Sequence, residues 1–471
     1  MKKIYRYSIV AISMVASLSS CTKFLDLQPE DKLLETQVFN SAKNIKANLN
    51  GIYVKLGGST LYGENLTLTI PDILAQRYNI GTSNVFFGYA QHRYTDGGVA
   101  GKMSEIWANG YSTIFNINRF MFNLDNAPGI LDAKTDSTSR GEVLAIRAMM
   151  HFDLLRLFGP MYNSADSTLQ SIPYNTQSEV SISPFLPAND VMNHILADLN
   201  KAEGLLSADK SMTFDKKFRF NYYSVKAMQA RVYLYRGNKP EALAAAMVLV
   251  QNSTKFPWVT LGNMNDKANA DKIFSSEMIL GAYNPDLYLN TGGQARYFAS
   301  GLADNSILAP LDGRLIAMFP ETSDFRYGFD QLWGKPVNKN YKTFLKYADI
   351  EDKAKLYRNT IPMLKLSEMY YIAAECEPNQ TTAIGYLNTV RLNRNLGTPV
   401  SAQQLTSELT KEYQKEFFGE GQLFYYYKRN NFTAIPSGTS ATANYTMGTA
   451  STLRIKYVVP IPSPESEPRK N

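Results

Sequence analysis

Residues 222–250 read YYSVKAMQARVYLYRGNKPEALAAAMVLV. Tyr222 to Tyr235 carries the apolar spacing of one amphipathic helix. Gly237-Asn238-Lys239-Pro240 is a turn, and Glu241 to Val250 is a second helix. Pro240 falls near the first position of that helix, where its missing N–H costs nothing. Ala227 and Ala230 on the first helix, and Ala242, Ala245 and Ala246 on the second, let two backbones approach closely. The stretch predicts an antiparallel helical hairpin of tetratricopeptide type.

A second hairpin follows the same plan. Met363 to Cys376 is helical, Pro378-Asn379-Gln380-Thr381 is the turn, and Thr382 to Arg394 is the partner helix before Gly397, with Ala373 and Ala374 as the small residues. Helical spacing also marks Ala42 to Leu56, Met103 to Asp125, Pro184 to Leu206 and Leu405 to Phe418. Arg140 to Phe158 is helical too, stopped by Gly159-Pro160. Residues 57–101 and 256–355 are rich in Gly, Asn and aromatics without a clear period, and read as long loops. Irregular stretches of that length are uncommon in compact domains unless they bind something. The expected fold class is mostly α: a tetratricopeptide-like helical-repeat scaffold with large irregular loop excursions, suited to a binding protein.

The N-terminus has the three parts of an export signal. Lys2, Lys3 and Arg6 supply the charge, Ile9 to Leu18 the apolar run, and Leu18-Ser19-Ser20-Cys21 a bacterial lipoprotein cleavage pattern. The apolar run is far shorter than the ~20 residues that span a bilayer. Residues 1–20 are therefore expected to leave as a signal peptide. Residues 21–471 are expected to form a single domain, tethered through lipid on Cys21 and an extended segment to Glu30. Cys376 then has no partner for a disulfide.

Of the 471 residues, 44% are hydrophobic, which argues for a folded chain rather than a disordered one. The formal charge of +7 falls to about +4 once the three basic residues of the signal are removed. No basic block stands out, so nucleic acid is not an expected partner. His92, His151 and His194 are the only histidines and lie far apart in sequence. His151, inside a helix, reads as a packing or capping residue. There is no zinc-helix motif, nucleophile elbow or phosphate loop. No catalytic residue, metal ligand or cofactor is assigned. Glu375 reads as an ion-pair partner, and Glu351 and Asp352 as solvated charge.

Several blocks resemble the SusD/RagB family of outer-membrane lipoproteins. They are Cys21 with Phe24-Leu25-Asp26 and Val38-Phe39, and the helix Ala145 to Phe158 with Gly159-Pro160. Ala230-Arg231-Val232-Tyr233-Leu234-Tyr235 with Gly237, Leu366 to Glu375, Glu412 to Gly421, and Tyr457 to Pro462 follow in the family's order. Two departures stand out. Tyr413 and Gln414 occupy positions where members usually carry arginines, and Tyr426 stands where an Asp is usual, so a typical ion pair is missing or rebuilt. The resemblance implies an α-α superhelix of four helix pairs that faces a SusC-like TonB-dependent transporter. It implies a lipid-anchored location on the outside of the outer membrane, and capture of glycan, or of peptide in some members, without catalysis.

Sugar rings pack their C–H faces on flat aromatics while their hydroxyls meet polar side chains. With Tyr 30, Phe 24 and Trp 3, aromatics make 12% of the chain, and those in the two loop regions are the candidate platforms. The first group is Tyr78, Phe86, Phe87, Tyr89 and Tyr94, with Arg77, Asn84 and Gln91 nearby. The second is Tyr283, Tyr288, Tyr297, Phe298 and Trp333, with Asn290 and Arg296. The residues chosen as ligand-binding are Tyr78, Phe87, Tyr89, Tyr288, Tyr297 and Trp333. Trp107 reads as helix packing. A surface glycosidase and a protein-only adaptor are the alternatives from other classes.

Overall fold

The computed structural model describes residues 39–163, 166–289, 292–440 and 452–466. Cys21, the export signal, Asn290 and the tether lie outside the described residues. Ten helices build the scaffold: α1 (Ala42–Leu56), α2 (Gly97–Asp125), α3 (Ala133–Phe158), α4 (Ala188–Leu206), α5 (Tyr222–Arg236), α6 (Lys239–Val250), α7 (Leu366–Cys376), α8 (Gln380–Leu392), α9 (Leu405–Glu416) and α10 (Leu423–Arg429). From α1 to α8 each helix packs on the next, so the mostly α, tetratricopeptide-like expectation holds.

The hairpin that opened the reading is α5–α6. Asn221 caps α5 by accepting hydrogen bonds from the Tyr223 and Ser224 amides, and the Ser224 hydroxyl accepts from the Asn221 amide. Gly237 closes α5 at φ 85°, a left-handed turn that favours glycine. The five alanines named above are buried at the crossings. The second hairpin differs at its start, because Met363–Lys365 belong to a strand. That strand, β4 (Thr360–Lys365), pairs antiparallel with β1 (Met278–Tyr283). A smaller pair, β2 (Trp333–Gly334) with β3 (Thr343–Phe344), sets Trp333 opposite Phe344.

From Val143 onward nearly every residue of α3 is buried, because neighbours flank it on both sides. It ends at Gly159, as its stop signal predicts. Its last carbonyls would be left without intrahelical partners. The buried ammonium of Lys428 supplies donors to Arg156 O and Gly159 O at 2.8 and 2.7 Å.

The two loop regions need correcting. Residues 60–74 are almost wholly buried and helical in part, with a π-helical turn at Asn65–Thr69 and a short helix at Ile70–Leu74. Here the amides from Leu61 to Thr69 donate to nearby backbone carbonyls, which offsets the cost of their burial. Residues from 57–101 and 256–355 pack on each other around a second apolar core. Leu68, Ile73, Tyr78, Phe298, Trp333, Phe344, Tyr347 and Phe418 belong to it.

A buried ionic cluster joins this layer to the scaffold. Arg394 bridges Glu277 and Glu416, and Arg326 bridges Asp324, Glu412 and Glu416. Lys365 reaches Glu420 at 2.8 Å. Burial alone would raise the Glu412 carboxyl, but Arg326 and Lys415 outweigh it and hold it down at about 2. The turn after α9 enters the second core. Gly419 N donates to Asp72 Oδ2 at 2.6 Å. Gly421 sits at φ 69°, where a Cβ would fall 2.4 Å from Leu66 O. Around Tyr426 this chain has an ion pair and a ring stack of its own. Arg429 pairs with Glu375, and the Tyr426 ring stacks on Tyr413 at 4.1 Å.

Candidate functional site

Near the seam of the two irregular regions, partly exposed rings gather on a shelf at the short helix Phe87–Ala90. Phe86, Phe87 and Tyr89 are half-buried there. Asn84 fixes its start. Its Oδ1 accepts from Phe86 N at 2.9 Å, and its Nδ2 reaches Asp304 O and Ile307 O at 3.4 and 3.5 Å. Val85 N donates to Asn305 O, which ties the shelf to the second region. The Tyr89 hydroxyl donates to Gly98 O at 3.0 Å, so the first turn of α2 holds the far edge.

The helical turn Gly293–Tyr297 completes the shelf from below. Tyr297 lies 5.8 Å from Phe86, ring centroid to centroid, and Phe86 lies 6.1 Å from Tyr89. Tyr297 donates its hydroxyl to the buried carboxylate of Glu64. Burial raises the Glu64 carboxyl, and the Tyr297 hydroxyl and Arg296 pull it back. Arg296 is 57% exposed at the side chain and 3.4 Å from Glu64. Arg93, 54% exposed, lies 5.1 Å over the Phe87 ring. Half-open rings flanked by two guanidiniums offer apolar faces and forked N–H donors side by side.

The six chosen residues fall into four groups. Phe87 and Tyr89 lie on the shelf. Tyr297 supports it but is only 8% exposed. Tyr288 stands elsewhere: Arg358 lies 5.0 Å over its ring, and its hydroxyl accepts from Asn359 N. Tyr78 and Trp333 are corrections. Each is 1% exposed, so neither presents a face to a ligand. Tyr78 packs on Phe298 and Phe418, and Trp333 on Phe344 and Phe418. Of the remaining candidates, Tyr94 and Phe298 are also buried, while Tyr283 is 47% exposed at the end of β1. Arg77 is buried and paired with Asp72 at 3.1 Å.

Glu64 and Arg93 were missed by sequence reasoning. A lone carboxylate in the stretch YGENLTLT carries no spacing that signals a buried anchor. His151 and Trp107 fall where expected. His151 Nε2 accepts from Asn175 N at 3.0 Å, and Trp107 packs 4.7 Å from Tyr111. Glu375 is an ion-pair partner, of Arg429. Among the described residues no group of three His, Cys, Asp or Glu could hold a metal ion, and no helix is long and apolar enough to cross a membrane.

Known proteins share this architecture. A family profile described as starch-binding and associating with the outer membrane matches residues 23–234, and the SusD family profile matches residues 317–466. SusD-like protein P2 of Formosa agariphila is 24% identical, over 98% of this chain and 97% of its own. A SusD superfamily protein of Bacteroides thetaiotaomicron superposes with a TM-score of 0.75 at 22% identity, covering 91% of this chain and 98% of its own. A laminarin-binding SusD-like protein superposes with a TM-score of 0.65 at 19% identity, covering 91% of this chain and 97% of its own. Two profiles that together take in most of the sequence, with the helical scaffold described above, lead to one conclusion: the chain belongs to the SusD/RagB family.

Proposed function

We propose that this chain is a surface lipoprotein that holds an oligosaccharide on the shelf of Phe86, Phe87 and Tyr89 and passes it to a SusC-like TonB-dependent barrel. The observation that carries this reading is the pairing of half-open rings with the exposed guanidiniums of Arg93 and Arg296. Flat rings receive the C–H face of a sugar, and guanidinium forks donate to its oxygens. A family profile described as starch-binding and a laminarin-binding relative of the same fold support a glucan as the first ligand to try. Lipid on Cys21 anchors the protein facing outward.

Calorimetry with laminarin and starch oligosaccharides tests the shelf. Phe87→Ala combined with Tyr89→Ala is expected to weaken binding by roughly tenfold or more, a loss of about 1.4 kcal/mol. Both side chains are already partly in water, so the melting temperature is expected to stay within about 5 °C. Unchanged affinity in the double variant would remove the shelf. Incubation with the same polysaccharides is expected to release no reducing ends. Cys21→Ala is expected to leave the membrane fraction, since anchoring of this strength needs acyl chains. Its persistence there, still lipid-labelled, contradicts the anchor.

A further inference from the structure

A second cavity, of about 270 Å³, shares no lining residue with the shelf. It lies between the middle of α2 and residues 173–181, with Glu465 at its edge. Tyr111 and Phe115, four residues apart on one face of α2, are half-buried in its wall, and the more deeply buried Trp107 lies one turn further back. One side of the cavity is therefore flat and apolar.

The opposite side is polar and held firmly. Asn118 donates from Nδ2 to Asn175 O and Gln177 O, both at 3.1 Å, and its Oδ1 accepts from Arg147. Arg147 is itself gripped by Asp198 at 2.7 and 2.8 Å. Asn175 N donates to His151 Nε2, and His151 stacks on Tyr174 at 3.9 Å. Burial pushes the His151 imidazole down to about 3, so Nε2 stays an acceptor. These bonds fix the backbone of residues 175–177, which forms this wall of the cavity.

Charge narrows the ligand. Glu179 and Glu465 line the cavity, and the nearby Arg119 guanidinium is engaged by Glu179 at 2.8 Å. The balance disfavours an anion. The volume lies below the ~300–1,000 Å³ of ordinary ligand pockets, which suits one ring rather than a chain of them. We propose that this cavity is a second carbohydrate site that takes a single neutral pyranose. The ring stacks on Tyr111 and Phe115, and its hydroxyls meet the polar side chains of Gln177 and Ser181 across the cavity. This site is formed by the cavity's own residues and is independent of whether the shelf binds glycan.

Saturation-transfer NMR on the full chain tests it, with D-glucose, D-galactose and D-mannose as probes and D-glucuronate as the anionic control. At least one neutral hexose is expected to bind, and glucuronate is not. Phe115→Ala, which removes half of the stacking surface, is expected to weaken the hexose by roughly tenfold or more. Ser112→Trp, at the exposed lip, is expected to block it without touching the braced wall. In the Phe87→Ala, Tyr89→Ala background the hexose signal that remains is expected to fall further on Ser112→Trp. Absence of any hexose signal, glucuronate binding equally well, or a signal that neither Phe115→Ala nor Ser112→Trp reduces overturns the proposal. A hexose signal abolished in the shelf variant also overturns it and assigns the hexose to the shelf.

Discussion

Replacing Arg394 by alanine is expected to cost the folded chain about 3–5 kcal/mol, the usual penalty for stranding a buried charge. Arg394 is 0% exposed and satisfies two carboxylates at once. It donates to Glu277 at 2.8 and 2.7 Å, and to Glu416 at 3.0 and 2.7 Å. Glu416 keeps Arg326, Lys365 and the Ser367 hydroxyl after the change. Glu277 keeps only a hydrogen bond from Val259 N among its near partners, so most of the penalty falls there. Arg394→Lys is expected to recover little, because a point ammonium cannot reproduce a planar fork bridging two acids. Arg394→Met with Glu277→Leu is expected to recover more than either single change, since it leaves no charge stranded at Glu277. Urea unfolding measures all three. A loss under about 1 kcal/mol for Arg394→Ala would show that the cluster is not what the fold leans on.

Trp333→Ala is expected to cost a similar amount, about 3–5 kcal/mol, and to leave ligand affinity unchanged. The indole lies 4.9 Å from Phe344 and 4.8 Å from Phe418, and its Nε1–H donates to Arg326 O at 3.0 Å. Truncation opens a cavity in the second core and leaves that buried carbonyl short of a donor. Urea unfolding paired with calorimetry on the folded fraction separates the two effects. A drop in affinity without a drop in stability would return Trp333 to the ligand surface.

Trp333 also shows where the sequence could and could not be read. The scaffold was legible because helices write their buried face at a fixed period. The alanines of α5 and α6, the stop at Gly159-Pro160 and the turn at Gly237 all fall where the spacing put them. Residues 57–101 and 256–355 have no such period. Irregular backbone can turn any side chain in or out, so composition alone says rings are present and not which way they face. Phe87 and Tyr89 were legible as candidates, but Tyr78 and Trp333, of the same chemistry in the same regions, are core. The ring partner the two share, Phe418, lies far from both in sequence. Glu64 was illegible for the same reason, since its role depends on Arg296 and Tyr297. The ionic cluster at 412–420 was readable as a family block but not as a joint, because Glu277 and Arg326 come from stretches that read as loops.

The turn at Gly419 and Gly421 reaches from the last scaffold helices into the heart of the irregular layer, against Leu66 and beside Asp72. With no room for a side chain there, backbone meets backbone between the scaffold and the irregular layer. The proposed shelf, at 86–93 and 293–296, takes no part in that joint. On the proposed reading, those residues can be exchanged for others of new taste while the seam beneath keeps its glycines.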